Sequence, residues 1–231
     1  MIKVQSGLLV PSMSLEKENF IIGAILGDGH IQKAKTLTGR CRMTFGHSAK
    51  QEDYVYWKYE KLKEYCQTVG PPKRTIKKAA EGKEYQESRF YTSYLDVFKT
   101  FHSKFYVLKE VNGKMVYIKT IPEDLCLYFN NPMALVVWFL DDGTYRTDCE
   151  SGRIATQSFS YDENTILKGC LDQKFGIKVK IESSTDALGN SLYGLAIPAR
   201  GGHWKNFVSL IKETIIKEIP TMSYKVMRKT P

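Results

Sequence analysis

Two aspartates stand where an aspartate is hard to keep. Asp28 ends the run Phe20-Ile-Ile-Gly-Ala-Ile-Leu-Gly-Asp28-Gly29, and Asp142 ends the run Ala134-Leu-Val-Val-Trp-Phe-Leu-Asp-Asp142-Gly143. Each run is apolar and of helical composition, and a carboxylate carried into such surroundings is costly unless a cation or a metal neutralises it. Two copies of one arrangement, 114 positions apart, point to a duplicated chain. If its halves meet about a pseudo-twofold axis, Asp28 and Asp142 come together. Neighbouring carboxylates repel, and a divalent cation between them relieves the repulsion and activates a bound water.

Bringing the acids together requires two helices that cross closely. Gly23 and Gly27 lie on one helical face and leave room for a partner backbone. The second run answers with Val137 and Asp141 and carries the bulky Trp138 and Phe139, so the pairing is asymmetric. The first helix starts at a Ser14 cap with Glu16 and Glu18 in its first turn and runs to about Gly27. Residues 40–45 then alternate, with Cys41, Met43 and Phe45 on one side and Arg40, Arg42 and Thr44 on the other, which predicts a strand with a basic open face. Val55, Tyr59, Leu62, Cys66 and Val69 recur at helical spacing over 51–69, and Gly70-Pro71-Pro72 ends that helix. A lysine-rich strand over 73–78 turns near Gly82 and returns through 89–92, before a helix over 94–103.

Residues 104–122 form a less regular connection, with Asn112-Gly113 offering a tight turn. The second apolar helix follows over about 132–140, and the order of elements then recurs. A strand is predicted over 153–160, a helix over 162–175, strands over 177–182 and 191–197 about a turn at 187–190, and a closing helix over 203–217. His47-Ser48 before the first long helix matches Gln157-Ser158 before the second, and Lys119-Thr-Ile-Pro122 echoes Lys217-Glu-Ile-Pro220. The division is a first half over 1–103, a connection over 104–122 and a second half over 123–231. Each half is an α+β unit of helix, two strands, helix, two strands, helix.

Composition narrows the partner. The 231 residues suffice for two small fused units with a real core. Lys and Arg number 34 against 25 Asp and Glu, a formal net charge of +9 that suits a polyanion. The five cysteines are widely spaced without a C-x-x-C pair, which indicates neither a disulfide framework nor a zinc site and fits an intracellular, reducing compartment. The four histidines show no companion spacing for a metal cluster and read as surface or packing residues. The tyrosines over 54–59 fit a core face better than base stacking, and Gly201-Gly202 fits a helix cap better than a phosphate loop. No apolar run approaches a membrane span, and the start of the chain lacks a leader pattern.

The two apolar motifs, their separation and the order of elements around them resemble the LAGLIDADG homing endonucleases, in the monomeric two-motif branch, over essentially the whole chain. The resemblance implies two pseudo-symmetric αββαββα halves forming a saddle, with antiparallel DNA-binding sheets and the two motif helices at the interface. It implies a site-specific endonuclease that cuts both strands of a long asymmetric DNA with Mg²⁺, for which Mn²⁺ substitutes. Asp28 and Asp142 are then the catalytic metal ligands, Gly27 and Asp141 offer backbone carbonyls, Lys119 and Lys225 polarise water and steady the phosphate, and Gln157 orders a water. His47 stands where the second half has Gln157 and departs from that chemistry.

DNA recognition falls to the open faces of the alternating strands, because a twisted antiparallel sheet can lay side chains along a major groove. The candidates are Arg40, Arg42, Lys73, Lys77, Arg89, Arg153, Lys178 and Lys180. Two rival readings share the fold: an RNA maturase assisting the splicing of a host intron, with or without nuclease activity, and a DNA-binding regulator that cuts nothing.

Overall fold

The computed structural model describes residues 9–10, 12–78 and 82–227, so most of the short arm before Ser14 lies outside the described residues. Helix α1 (Leu15–Leu26) begins as its composition dictates, with the Ser14 hydroxyl accepting from the Lys17 amide. Every residue from Glu18 to Leu26 is buried, which is the lot of a helix apolar on all sides. Its neighbour is α4 (Pro132–Asp142), capped by the Asn131 side chain and opened by Pro132, whose missing amide hydrogen is harmless in a first turn. The crossing is a backbone contact: a Cβ on Gly23 would lie 2.4 Å from the Ala134 carbonyl oxygen. Ala134, rather than Val137, is therefore what Gly23 makes room for. Asn19 fixes the register, its Oδ1 accepting from the amides of Asn130 and Asn131 at 3.0 and 3.1 Å.

Around this pair the chain repeats one topology. The first half continues through β1 (His30–Lys33), β2 (Cys41–Ser48), α2 (Glu52–Leu62), β3 (Lys73–Lys78), β4 (Glu84–Tyr91) and α3 (Val97–Phe105). The second follows α4 with β7 (Gly143–Arg146), β8 (Ser151–Ile154), α5 (Tyr161–Phe175), β9 (Lys180–Thr185), β10 (Ser191–Ile197) and α6 (His203–Glu218). Both sheets are antiparallel, in the orders β1-β2-β4-β3 and β7-β8-β10-β9. In each, alternate residues such as Met43, Phe45 and Phe90, or Ile154, Leu195 and Ile197, pack into the core, leaving the intervening ones on an open face.

The connection between the halves is more ordered than its sequence suggests. Strands β5 (Tyr106–Val111) and β6 (Lys114–Lys119) pair as a hairpin, turning on Asn112 and Gly113, both at positive φ. An Asn-Gly step between runs rich in Val, Ile and Tyr is a strong hairpin signal. Two short strands, β1 and β7, leave the motif glycines directly and were not singled out by composition, because four residues carry too little periodicity. The strand expected over 153–160 is shorter and earlier, since residues 155–160 turn into the capping box of α5, with Ser160 and Glu163 bonded reciprocally. The expected strand over 177–182 begins only at Lys180, and Ile177 and Val179 before it serve the core.

The cysteines need a correction. Cys126 and Cys170 on α5 form a disulfide across 44 positions, a tertiary pairing that spacing cannot reveal. It removes cysteine spacing as an argument for a reducing compartment. Among the described residues no helix is long and apolar enough to cross a membrane.

Candidate active site

The ends of α1 and α4 meet where the Asp28 amide donates to the Asp141 carboxylate. Asp28 follows the Gly27 cap of α1 with its side chain half exposed, and Asp142 is the last residue of α4. Burial, reinforced by the charges of Asp28 and Asp141, pushes the Asp142 carboxyl up to about 7. Two nearby ammonium groups oppose that rise.

Those cations are Lys119 and Lys225. Lys119 Nζ donates to the Gly27 carbonyl at 2.8 Å, and Lys225 Nζ donates to the carbonyls of Gly143 at 2.9 Å and Asp141 at 3.4 Å. Each sits at the carbonyl end of a motif helix, the end that favours a cation. Burial lowers both ammonium pKa values, and the three aspartates oppose that shift. A lysine so placed is a better proton donor than one in water. Asp28, Asp142, Lys119, Lys225 and the carbonyls of Gly27 and Asp141 are therefore assembled in one place.

Asp141 contributes more than its carbonyl. Its carbonyl does face the site, but its side chain is fully buried and points into the first half. Oδ1 accepts from Lys58 Nζ at 2.6 Å and from the Tyr54 hydroxyl at 2.7 Å, and Oδ2 accepts from the Asp28 amide at 3.1 Å. Although burial alone would raise it, Lys58 and His47 hold this carboxyl well below the usual range. The carboxylate fits because Gly27 opposite has no side chain: a Cβ there would lie 2.6 Å from the Asp141 Cβ. The twofold is broken here, Gly27 against Asp141.

His47, read from the sequence as a surface or packing residue, is instead part of the acidic cluster. Its Nδ1 lies 3.6 Å from Asp28 Oδ2 and its Nε2 lies 3.4 Å from Asp141 Oδ1. Neither Lys58 nor Tyr54 was singled out for the site. Tyr54 reads correctly as core, yet its hydroxyl, buried and bonded to Asp141, belongs to this cluster. The available signal was a lysine four residues after Tyr54 on the apolar face of α2.

For a metal, the donor set at the helix ends is all oxygen: the carboxylates of Asp28 and Asp142 and the carbonyls of Gly27 and Asp141. Hard oxygen donors of this kind, with an acid lifted to about 7 by burial and by its acidic neighbours, fit a Mg²⁺ or Mn²⁺ ion. Asp28, His47 and Asp141 also bring ligand atoms within 4.8 Å of one another, but both oxygens of Asp141 are already engaged.

From each acid a groove runs along an open sheet face. The first is lined by Asp28, Thr44, Gly46, Tyr85, Glu87 and Arg89, and the second by Asp142, Thr144, Arg146, Arg153, Gln157 and Glu182. Gln157 is exposed in the second groove beside Asp142. Strand register places Arg42, Arg89, Lys73 and Lys77 on the first open face, with Lys73 opposite Arg89 and Lys77 opposite Tyr85. Arg42 stacks over Tyr91 and Tyr94 at 4.6 and 4.8 Å and bonds Gln32. Arg89 is held by Glu87 at 2.9 Å.

On the second face Arg153 pairs with Glu182 at 2.9 Å, and Lys180 shares its row through Ala196. Two expected residues fall elsewhere. Arg40 precedes β2 and is paired with Asp96, while Lys178 precedes β9 and lines a depression against α5 with Lys168 and Asp172. Arg146 on β7, held by Asp148 at 2.7 Å, is an arginine of the second groove that the strand pattern missed.

A family model described as the LAGLIDADG DNA endonuclease family matches residues 18–198. The cytochrome b mRNA maturase bI2 of Saccharomyces cerevisiae is 30% identical over 214 residues, 90% of this chain and 46% of the yeast protein. The chain thus spans about half of that relative's length. The DNA endonuclease I-ChuI of Chlamydomonas applanata is 27% identical over 191 residues, 81% of this chain and 85% of the algal protein. The solved homing endonuclease I-WcaI bound to its DNA recognition sequence superposes with a TM-score of 0.75 at 26% identity, over 94% of this chain and 88% of that one.

Proposed function

The chain belongs to the LAGLIDADG DNA endonuclease family, and we propose that it is a site-specific nuclease that cuts both strands of a long, asymmetric double-stranded DNA. The observation that carries the reading is the convergence of Asp28 and Asp142 at two helix ends, each end topped by a half-buried lysine. Phosphodiester hydrolysis needs an attacking water, a counter-charge for the phosphate and a proton for the leaving oxygen. Mg²⁺ held by Asp28, Asp142 and the carbonyls of Gly27 and Asp141 would supply a Lewis acid and an activated water. Lys119 and Lys225 stand where a phosphate between the two halves would lie, and each can stabilise its charge and release a proton. Gln157 orients a water beside Asp142. Both motifs lie in one chain, so a monomer suffices, and its unlike halves suit a site without palindromic symmetry.

The open faces supply recognition. Arg42, Arg89 and Arg153 are arginines already oriented by an amide or a carboxylate, a geometry suited to bidentate contact with guanine. Lys73, Lys77 and Lys180 line the same faces and suit phosphate. Arg40 and Lys178, off the strands, are at most contacts with the DNA backbone. The relationship to I-WcaI, a homing endonuclease bound to its DNA recognition sequence, supports this partner. Cleavage selection from a randomised DNA library in Mg²⁺ tests the reading: a single long consensus cut on both strands supports it, and no cleavage with any divalent ion refutes it.

The yeast maturase relative favours a second activity, assistance to the splicing of an intron RNA. A splicing assay on an intron RNA, with and without the protein, tests it, and equal rates would remove it.

A further inference from the structure

Lysine is almost never fully buried without a partner, and Lys58, 1% exposed on α2, has an unusual one. Its ammonium lies 2.6 Å from Asp141 Oδ1 and 3.0 Å from His47 Nε2, under the rings of Tyr54 at 4.4 Å and Phe45 at 5.6 Å. Asp28, His47 and Asp141 bring their ligand atoms close enough to share one ion. The position an ion would take against Asp141 and His47 is held by the ammonium. We propose that Lys58 is a built-in cation that closes this cluster to a divalent ion and makes Asp141 a positioning residue for Asp28.

Three observations support the assignment. Lys58 has only protons to give, so His47 Nε2 accepts and its Nδ1 is left facing Asp28 Oδ2. With Oδ1 of Asp141 saturated by Lys58 and Tyr54, Oδ2 is free to hold the Asp28 amide. The second half has no such device. Counted from Gln157 as Lys58 is from His47, Lys168 on α5 is exposed, and the counterpart of Tyr54 is Asn164, which bonds Thr156. A charge-neutralised centre in the first half therefore faces a neutral one in the second, and the two should respond differently to loss of the Lys58–Asp141 pair.

The test counts Mn²⁺ ions bound to the DNA-free protein by electron paramagnetic resonance, and then times the nicking of each strand of the selected site. Replacing a buried ion pair by apolar residues of similar size is commonly tolerated, so K58M/D141L is expected to fold. It should bind Mn²⁺ in the wild-type number, with any loss of affinity being that of a lost support for Asp28. Loss of one bound ion would overturn the proposal. K58M alone frees the Asp141 carboxylate and should bind one further ion; if it fails to fold, the double variant still decides.

The nicking arm rests on the nuclease reading, which fails separately if the wild type cuts nothing. K58M/D141L should slow one strand by roughly tenfold to a hundredfold relative to the other, the effect of a misplaced reacting group. K58M/D141N, whose amide oxygen can still accept the Asp28 amide hydrogen, should restore the balance. Equal slowing of both strands, or no rescue, would contradict a positioning role.

Discussion

The backbone amide of Asp28 donates to Asp141 Oδ2 at 3.1 Å, so the chain leaving one motif helix is tied to a carboxylate of the other. The link runs one way, because Gly27 offers nothing in return. Gly27→Ala places a Cβ 2.6 Å from Asp141 Oδ2 and Cβ, and overpacking of this kind costs about 1–3 kcal/mol. Urea denaturation should register that loss. Cleavage should fall along with it, since the displaced carboxylate no longer holds Asp28.

Tyr54→Phe isolates one bond of the same cluster. The hydroxyl donates to Asp141 Oδ1 at 2.7 Å with the Val137 carbonyl 3.2 Å away. Loss of a buried hydrogen bond to a charged group costs about 1.5–3 kcal/mol. An unfolding free energy within about 0.5 kcal/mol of wild type, the range of an indifferent surface substitution, would show that Asp141 does not depend on Tyr54.

Asp142 predicts a pH dependence with a definite sign. Its ordinary value of 3.8 is raised to about 7 in the folded chain by burial, with Asp28 and Asp141 adding to it. Between those values the folded state keeps a proton that the unfolded state gives up. Its contribution to stability is complete below pH 4 and is lost as pH rises through 7. Metal-free Tm should carry this component and Asp142→Asn should remove it. Added Mg²⁺ should raise the wild-type Tm more at pH 8 than at pH 5, where a proton already occupies the carboxylate.

Lysine and arginine on the open faces should separate by assay. K73A/K77A should weaken DNA binding alike for all sequences and reduce the salt slope of binding by about two. R89A should cost about 1–3 kcal/mol and relax preference at one position of the target. A uniform effect from R89A would reassign that side chain to the phosphate backbone.

The repeated motifs and the helices that carry them were legible in the sequence, because an apolar run ending in Asp-Gly is rare and its duplication fixes a symmetry; Lys119 and Lys225 came only from the family resemblance. Residues 41–45 and 191–197 were equally clear as strands, having alternation to read. What escaped was set by tertiary contact. Lys58 looks like any helix lysine until α4 brings Asp141 to it, and Cys126 meets Cys170 only after folding. The hairpin between the halves was read as irregular because its apolar residues, Leu108 and Met115 among them, remain exposed rather than marking a buried face.

The account turns on Asp28 and Asp142 acting together at the helix ends. Strand-resolved cleavage of the library-selected site in Mg²⁺, with wild type, Asp28→Asn and Asp142→Asn at matched DNA occupancy, tests it most directly. Both variants should bind the site about as well as wild type and make no double-strand break. Full double-strand cleavage by either variant would contradict the assignment.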